Sequence, residues 1–176
     1  MSAVSAHRRS EGNCCSRARW RDFLRSVNPH SARHGAPETP TIEIEQQVMF
    51  FDTDCGGVVH NLAYLRMIET ARTMLAEQLG LAMVEMAARG VYPVLLRTEA
   101  DYRKPAKLSD RLIIRGKMSR MERARFWCEF EVVRPADGTL MVSCQQSLAL
   151  IKMPEGKPLR LPEDWAVRFA HLRIMK

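Results

Sequence analysis

The chain has 176 residues, the size of one domain, and its 46% apolar and 27% charged residues are typical of a globular protein. No apolar run approaches the roughly 18 residues that a bilayer-spanning helix needs, so we predict no transmembrane segment. The net charge of +7 is modest, and without zinc-finger spacing or an RNA-binding aromatic–glycine motif we predict no nucleic-acid partner.

Residues 1–40 carry much of this charge, because seven Arg stand against only three acidic residues there. The segment is rich in Ser, Arg, His and Pro and shows no sustained periodicity. Such an N-terminus is compatible with an organellar transit peptide, with a disordered tail or with an over-long start. We predict a disordered basic extension over residues 1–40 and a single folded domain over residues 41–176.

The first predicted elements are a strand, a turn and a long helix. Apolar and polar residues alternate over residues 42–50, which is the period of a strand. Residues 52–57 are rich in turn-forming types. Apolar residues then recur at three- and four-residue steps over residues 62–79, the period of a helix, and Gly80 is placed to end it. The apolar stripe is so wide that we predict a helix buried on most sides.

The rest of the chain predicts a second short helix and four strands. The helix covers residues 82–89 and ends at Gly90. The strands cover residues 92–102, 111–120, 123–133 and 139–153. Asp137-Gly138 is a strong signal for a hairpin turn between the last two strands.

This order of elements predicts an α+β fold, in which one curved antiparallel sheet wraps around one long buried helix. Short loops join the later strands, and short loops connect antiparallel neighbours. A curled sheet leaves its end strands open, and open edges pair between subunits. We therefore expect a homodimer with a continuous sheet.

The candidate chemistry lies in the turn before the long helix, whose sequence is Phe51-Asp52-Thr53-Asp54-Cys55-Gly56-Gly57-Val58-Val59-His60-Asn61. Glycines let a backbone pass close to a ligand, and free N–H groups at a helix start can hold a carbonyl oxygen as it becomes negative. A carboxylate beside such donors can attack the carbonyl or activate a water molecule. The combination predicts acyl transfer to water.

These residues resemble the 4-hydroxybenzoyl-CoA thioesterase family, which includes the acyl-CoA thioesterases of Tol-Pal gene clusters. The family pattern is matched by Asp52, Asp54, Gly57, Val59, His60-Asn61, Tyr64, Glu69 and Arg72. The resemblance covers roughly residues 42–153. It implies a hotdog fold, hydrolysis of acyl-CoA and a homodimer or homotetramer.

The resemblance also implies a role for each residue of the motif. Asp54, the second Asp of the pair, is expected to be catalytic, together with Asn61 at the helix start. The residues expected to bind substrate are Gly57, Val58, Val59, His60 and Tyr64. No metal or separate cofactor is implied, because coenzyme A is part of the substrate and the product.

Structural interpretations compete with these roles. Asp54 could cap the helix or close an Asx-turn, and Asp52 is the better candidate for holding the turn. Tyr64 could pack in the core with its hydroxyl satisfied. A neutral, orienting role is favoured for His60, because the helix dipole disfavours a cation there. Cys55 stands where a helix start would activate a thiol, but the motif supplies no partner His.

Basic residues at strand ends and in one hairpin are candidates for binding the phosphates of coenzyme A: Arg103, Lys104, Arg120, Arg123 and Arg125. Arg favours this role because it makes bidentate contacts to phosphate. The alternative interpretation is a solvated face. Elsewhere, an odd number of Cys without metal or disulfide spacing predicts reduced thiols in a cytoplasmic protein.

Three functions are compatible with the sequence, and a thioesterase is favoured. A hotdog hydratase or dehydratase would need an acid/base pair, for which His60 is the candidate. A non-catalytic module that binds acyl-CoA or an acyl-carrier protein is the third. The motif is shared by enzymes that act on aromatic, short-chain and long-chain acyl groups, so the sequence leaves the acyl group open. The motif is also compatible with Asp54 as a nucleophile or as a general base.

Overall fold

The structure is a computed structural model that describes residues 39–174, so most of the predicted N-terminal extension lies outside the described residues. Within the described range, no helix combines the length and the apolar character that crossing a membrane requires.

The described chain forms strands β1 (Thr41–Gln47), β2 (Val91–Tyr102), β3 (Arg111–Met121), β4 (Arg125–Arg134), β5 (Thr139–Lys152) and β6 (Lys157–Pro158), helices α1 (Asn61–Gln78), α2 (Met83–Arg89) and α3 (Glu163–Arg168), and 3-10 turns at Phe50–Asp52 and Ala170–Leu172. The predicted strands and helices are confirmed, although β1 ends earlier than expected. The short elements β6 and α3 were not predicted.

All strand pairs are antiparallel, and the strand order is β1-β3-β4-β5-β2, with β6 beside the end of β5. Alternate side chains of β3 and β4 enter the core, as strand period requires. Gly116 lies on this inner face, where an added Cβ would come within 2.6 Å of the Phe130 ring. Glycine at this position therefore makes room for the buried Phe130 ring of the neighbouring strand.

Helix α1 packs on β1, β3 and β4 through one face. Its buried residues are Tyr64, Met67, Ile68, Ala71 and Leu75, which recur at three- and four-residue steps. The remainder of the helix stays open in the single chain, and Leu62 is 63% exposed. The predicted helix is present, but its burial on most sides is not confirmed, because the other face would need a further packing partner.

The C-terminal segment closes the far end of α1. The indole of Trp165 is buried, and its Nε1–H donates to the Leu79 carbonyl at 3.1 Å. This bond supplies a partner to one of the carbonyls that a helix end leaves unpaired. The rings of Phe126 and Phe169 contact Trp165 edge-on at centroid distances of 5.3 and 5.8 Å.

Asp52 ties the 3-10 turn to α1. Its carboxylate accepts a hydrogen bond from the Met49 N–H at 2.9 Å and pairs with Arg66 of the helix. Its backbone carbonyl accepts from the His60 N–H at 2.8 Å. The carboxylate is almost fully buried, so these contacts hold the start of the helix against the sheet.

We expect Asp52→Asn to lower the free energy of unfolding by about 1–3 kcal/mol, because a buried, charge-assisted pair is weakened. Glu45→Gln is the matched control: it breaks an exposed pair with Arg111, worth about 0–1 kcal/mol. Urea unfolding measures both. A large loss of kcat with unchanged stability in Asp52→Asn would contradict the structural role.

Candidate active site

The turn that carries Asp54 is closed by its own backbone. The Asp54 N–H donates to the Val58 carbonyl at 2.9 Å, and the Gly57 N–H donates to the Asp54 carbonyl at 3.0 Å. Thr53 and Val59 face each other in an antiparallel bridge. Gly57 has φ of 72°, a conformation that glycine adopts without the strain of a side chain. The turn therefore has one defined shape directly before α1.

The two carboxylate oxygens of Asp54 differ. Oδ1 accepts a hydrogen bond from the Gly56 N–H at 2.8 Å, which closes an Asx-turn. Oδ2 accepts none from any residue in the range 39–174, and the side chain is exposed. The structural interpretation and the catalytic one are therefore compatible, because one oxygen orients the group and the other is available to react.

Gly56 is a residue of this turn that sequence reasoning missed. A Cβ at Gly56 would lie 3.1 Å from Asp54 Oδ1, so a side chain there would press on the carboxylate. The available signal was the Asp-x-Gly spacing, which is typical of an Asx-turn with its donor two residues on.

The start of α1 offers one free donor. His60 is the N-cap, and its Nδ1 accepts from the Leu62 N–H at 3.1 Å. The His60 carbonyl accepts from the Ala63 N–H at 2.9 Å. Among the described residues, none accepts a hydrogen bond from the N–H of Asn61. This geometry is that of a helix cap, and the orienting role expected for His60 stays a prediction.

Tyr64 joins the helix to the turn through the loop after β2. Its buried hydroxyl accepts from the Ala106 N–H at 2.8 Å, and the Ala106 carbonyl accepts from the Val59 N–H at 2.9 Å. Burial raises the pKa of the Tyr64 phenol, so the hydroxyl stays protonated at neutral pH. This geometry is that of a packing residue; a substrate contact for Tyr64, and for the buried Val59 and half-buried Val58, stays a prediction.

The end of β2 lies beside the helix start. The Tyr102 ring is 6.0 Å from the Tyr64 ring, and its hydroxyl approaches the Asn61 carbonyl at 3.5 Å. Arg103 and Lys104 follow directly, and their N–H groups donate to the Met141 carbonyl at 2.8 and 3.3 Å. These two basic residues therefore belong to the same end of the sheet as the Asp54 turn.

The basic residues predicted to bind coenzyme A do not form one patch in a single chain. Arg120, Arg123 and Arg125 lie around the β3–β4 hairpin, where Phe126 pairs with Leu148 of β5. Tyr102, which precedes the other two basic residues, pairs with Val142 of the same strand. These positions on β5 are six residues apart, about 20 Å in a strand. Sequence reasoning could not see this separation, because it depends on the register.

A pocket of about 180 Å³ lies between α1, α2 and the strands β2, β4 and β5. Polar Glu69, Arg72 and Thr73 line one part of it, and the Arg72 guanidinium donates hydrogen bonds to the Glu69 carboxylate at 3.2 Å and to the buried Gln146 side chain at 2.8 Å. The rest is mainly apolar, with Leu75, Ala76, Leu79, Leu81, Met86 and Leu148. The start of β2 contributes Tyr92 and Pro93, at the opposite end of that strand from the Asp54 turn.

The three cysteines within residues 39–174 show no sign of an activated thiol. Burial raises the pKa of Cys128 to about 12 and that of Cys144 to about 11, so both remain protonated and unreactive. Cys55 is exposed in the turn, and the described hydrogen bonds give it no basic partner. Across residues 39–174, no three His, Cys, Asp or Glu side chains gather where they could hold a metal ion.

Comparison with known proteins places the chain in a family. The profile of the thioesterase-like superfamily matches residues 48–169. A 1,4-dihydroxy-2-naphthoyl-CoA hydrolase of Synechocystis is 27% identical over 133 residues, which are 75% of this chain and 96% of that protein. The acyl-CoA thioesterase YbgC of Haemophilus influenzae is 30% identical over 129 residues, or 72% and 93% of the two proteins.

Solved structures give the same result. The 1,4-dihydroxy-2-naphthoyl-CoA thioesterase of Synechocystis superposes with a TM-score of 0.66 at 27% identity, covering 75% of this chain and 97% of that one. A probable thioesterase of Bartonella henselae gives 0.64 at 28% identity, covering 69% and 99%. The chain belongs to the thioesterase-like superfamily. The family resemblance is confirmed, as is a hotdog-type fold built on an antiparallel sheet.

We expect Tyr64→Phe to lower the free energy of unfolding by about 1–3 kcal/mol, because it leaves the buried Ala106 N–H without an acceptor. Tyr102→Phe is the control: its hydroxyl is at the edge of hydrogen-bond distance and its side chain is half exposed, so the change should stay within about 0.5 kcal/mol. Urea unfolding compares them. Equal stability of the two variants would contradict the bracing role of the Tyr64 hydroxyl.

Gly56→Ala should lower kcat by about tenfold or more while leaving the unfolding temperature nearly unchanged. The added methyl group displaces the Asp54 carboxylate, and small misplacements of a reacting group cost up to about a hundredfold. Steady-state kinetics and thermal unfolding on the same preparation test this. Full activity in the variant would show that the exact position of Oδ1 is unimportant.

Proposed function

We propose that this protein hydrolyses acyl-CoA thioesters to a free acid and coenzyme A, with Asp54 as the reacting carboxylate. The observation that carries the proposal is the Oδ2 of Asp54 in a fixed turn, directly before the N–H of Asn61; neither atom has a hydrogen-bond partner among residues 39–174. The enzyme class is supported by relatives named as acyl-CoA thioesterases and thioester hydrolases.

The chemistry needs a group that attacks and a group that holds charge. As the thioester carbonyl is attacked, its oxygen becomes negative, and the Asn61 N–H at the positive end of α1 is the donor for it. Collapse of the tetrahedral intermediate expels the coenzyme A thiolate, which is a good leaving group, so no strong acid is required. The backbone supplies this donor, and the Asn61 side chain therefore has little part in the step.

Asp54 can work by two routes. As a nucleophile, its oxygen displaces the thiolate and forms a mixed anhydride, which water then hydrolyses. As a general base, it takes a proton from a water molecule whose oxygen adds to the carbonyl. Both routes use the same free oxygen and the same donor, and both end in the carboxylic acid and coenzyme A.

The geometry favours hydrolysis over a hydratase. A hydratase would use His60 as a member of an acid/base pair, but the Leu62 N–H engages Nδ1 as the helix cap, so only Nε2 is left for that role. The one carboxylate with a free oxygen in the turn is Asp54, and it is accompanied by an oxyanion donor. A non-catalytic binding module would need neither the free carboxylate oxygen nor the oxyanion donor.

A homodimer through β2 is the second part of the proposal. β2 is an edge strand of 12 residues in the described sheet. Its exposed residues include Tyr92, Val94, Leu95 and Leu96, each 37–47% exposed. A long apolar edge is a pairing site for another strand. Pairing with a second copy would also bring a partner to the open face of α1.

Symmetry gives this dimer a functional consequence. Two copies of β2 that pair antiparallel about a twofold axis place the end of one strand beside the start of the other. The end of β2 adjoins the Asp54 turn through Tyr102, and the start of β2 lines the apolar pocket through Tyr92. The Asp54 turn of each subunit thus faces the pocket of the other, which would receive the acyl group.

The same symmetry brings the residues that are predicted to bind coenzyme A to one end of the double sheet. Arg103 and Lys104 of one subunit come to the same end of the double sheet as Arg120, Arg123 and Arg125 of the second subunit. In the single chain the Arg120 guanidinium lies 3.6 Å from the centroid of the Trp127 ring and pairs with Glu122 at 3.6 Å. The phosphates of a coenzyme A whose thioester lies at Asp54 would then meet basic groups from both chains.

Asp54→Asn should lower the rate of coenzyme A release by at least about a hundredfold, because the variant can neither attack nor accept a proton. The Asn side chain still accepts from the Gly56 N–H, so the fold should be unchanged. Release is followed with a thiol reagent over a panel of acyl-CoA esters. Near-normal turnover in the variant would refute Asp54; no release by the unaltered protein from any ester would favour the binding module.

A further inference from the structure

The acyl pocket shares a wall with a second cavity. That cavity, of about 320 Å³, lies beyond Leu79, Leu81 and Met86, and these three residues line both spaces. Its inner side is formed by apolar Val91, Leu150 and Trp165, and charged residues including Arg89 and Asp164 stand around the remainder. The two cavities are therefore neighbours separated by three side chains.

Met86 differs from the other two wall residues in its element and in its side chain. Leu79 and Leu81 flank the C-terminal end of α1, where the Leu79 carbonyl accepts from the Trp165 indole and the Leu81 N–H donates to the Ala76 carbonyl at 2.8 Å. Met86 stands on the short helix α2, is 6% exposed, and carries an unbranched, flexible side chain of the type that fills irregular gaps.

We propose that Met86 is the end wall of the acyl pocket and restricts the enzyme to compact acyl groups of about the size of one six-membered ring. This inference rests on the proposed function. An apolar cavity of about 150 Å³ accepts benzene, and the pocket measures about 180 Å³. A benzoyl-type ring or a short aliphatic chain fits, whereas a long chain would have to pass through Met86.

Removal of the Met86 side chain should connect the two cavities. A long acyl chain could then continue along Val91, Leu150 and Trp165 towards the outside, where Arg89 and Arg168 stand. The change affects the acyl end of the substrate alone, because the Asp54 turn and the basic residues belong to other elements. The expected signature is a shift in chain-length preference and no general loss of activity.

The test compares kcat/KM for straight-chain acyl-CoA esters from butyryl to palmitoyl and for benzoyl-CoA. The variants are Met86→Ala, which opens the wall, and Met86→Phe, which thickens it. Val84→Ala is the control, because Val84 lies on the same helix but is 83% exposed and lines neither cavity. Because Met86→Ala and Met86→Phe should have opposite effects, the test still gives a result if one of them fails to fold.

The unaltered enzyme and Val84→Ala should prefer the compact esters and lose at least about tenfold in kcat/KM once the chain exceeds the pocket. Met86→Ala should extend the preferred length, and Met86→Phe should discriminate against benzoyl-CoA relative to butyryl-CoA. Release of coenzyme A with the same length profile in all variants, or a preference of the unaltered enzyme for palmitoyl-CoA, overturns the role of Met86 and leaves the hydrolase standing. No release from any ester overturns both.

Discussion

The hydrogen bond from the Ala106 N–H to the Tyr64 hydroxyl is the contact on which the site depends. It is buried, so the N–H has no solvent to replace a lost partner. Through the Ala106 carbonyl it extends to Val59, and Val59 closes the turn that carries Asp54. Helix α1, the loop after β2 and the turn that carries Asp54 are thereby held in one arrangement, which is what the proposed role of this carboxylate requires.

The turn fixes the position of the Asp54 carboxylate and still leaves one of its oxygens available to react. A carboxylate bound at both oxygens would be well positioned but unavailable, and one bound at neither would move freely. Asp54 is held by one oxygen and open at the other. The adjacent helix start adds a free donor, because its cap is supplied by His60 and the Asn61 N–H is left over. Short backbone contacts thus build most of the site, and few side chains are needed.

The local spacing of apolar and polar residues predicted the helices and strands well. It could not predict features that depend on strand register or on a second chain. The helix period located α1 to within a residue, whereas the catalytic roles that the motif assigns to Asp54 and Asn61 stay predictions. The role of Gly56 depends on the distance from an absent Cβ to a carboxylate, which spacing alone does not give. The separation of Arg103 from Arg123 follows from strand pairing. The open face of α1 differs from the predicted burial because a single chain offers it no partner.

In the proposed dimer, each active site combines the Asp54 turn of one subunit with the acyl pocket of the other. Mixed dimers test this arrangement: Asp54→Asn removes the carboxylate, Thr73→Phe places a bulky ring among the residues that line the pocket, and two affinity tags isolate dimers with one subunit of each kind. Both homodimers should be inactive, and the mixed dimer should release coenzyme A, because it retains one intact site. A mixed dimer as inactive as its parents would show that the turn and the pocket of a single chain work together, contrary to this account.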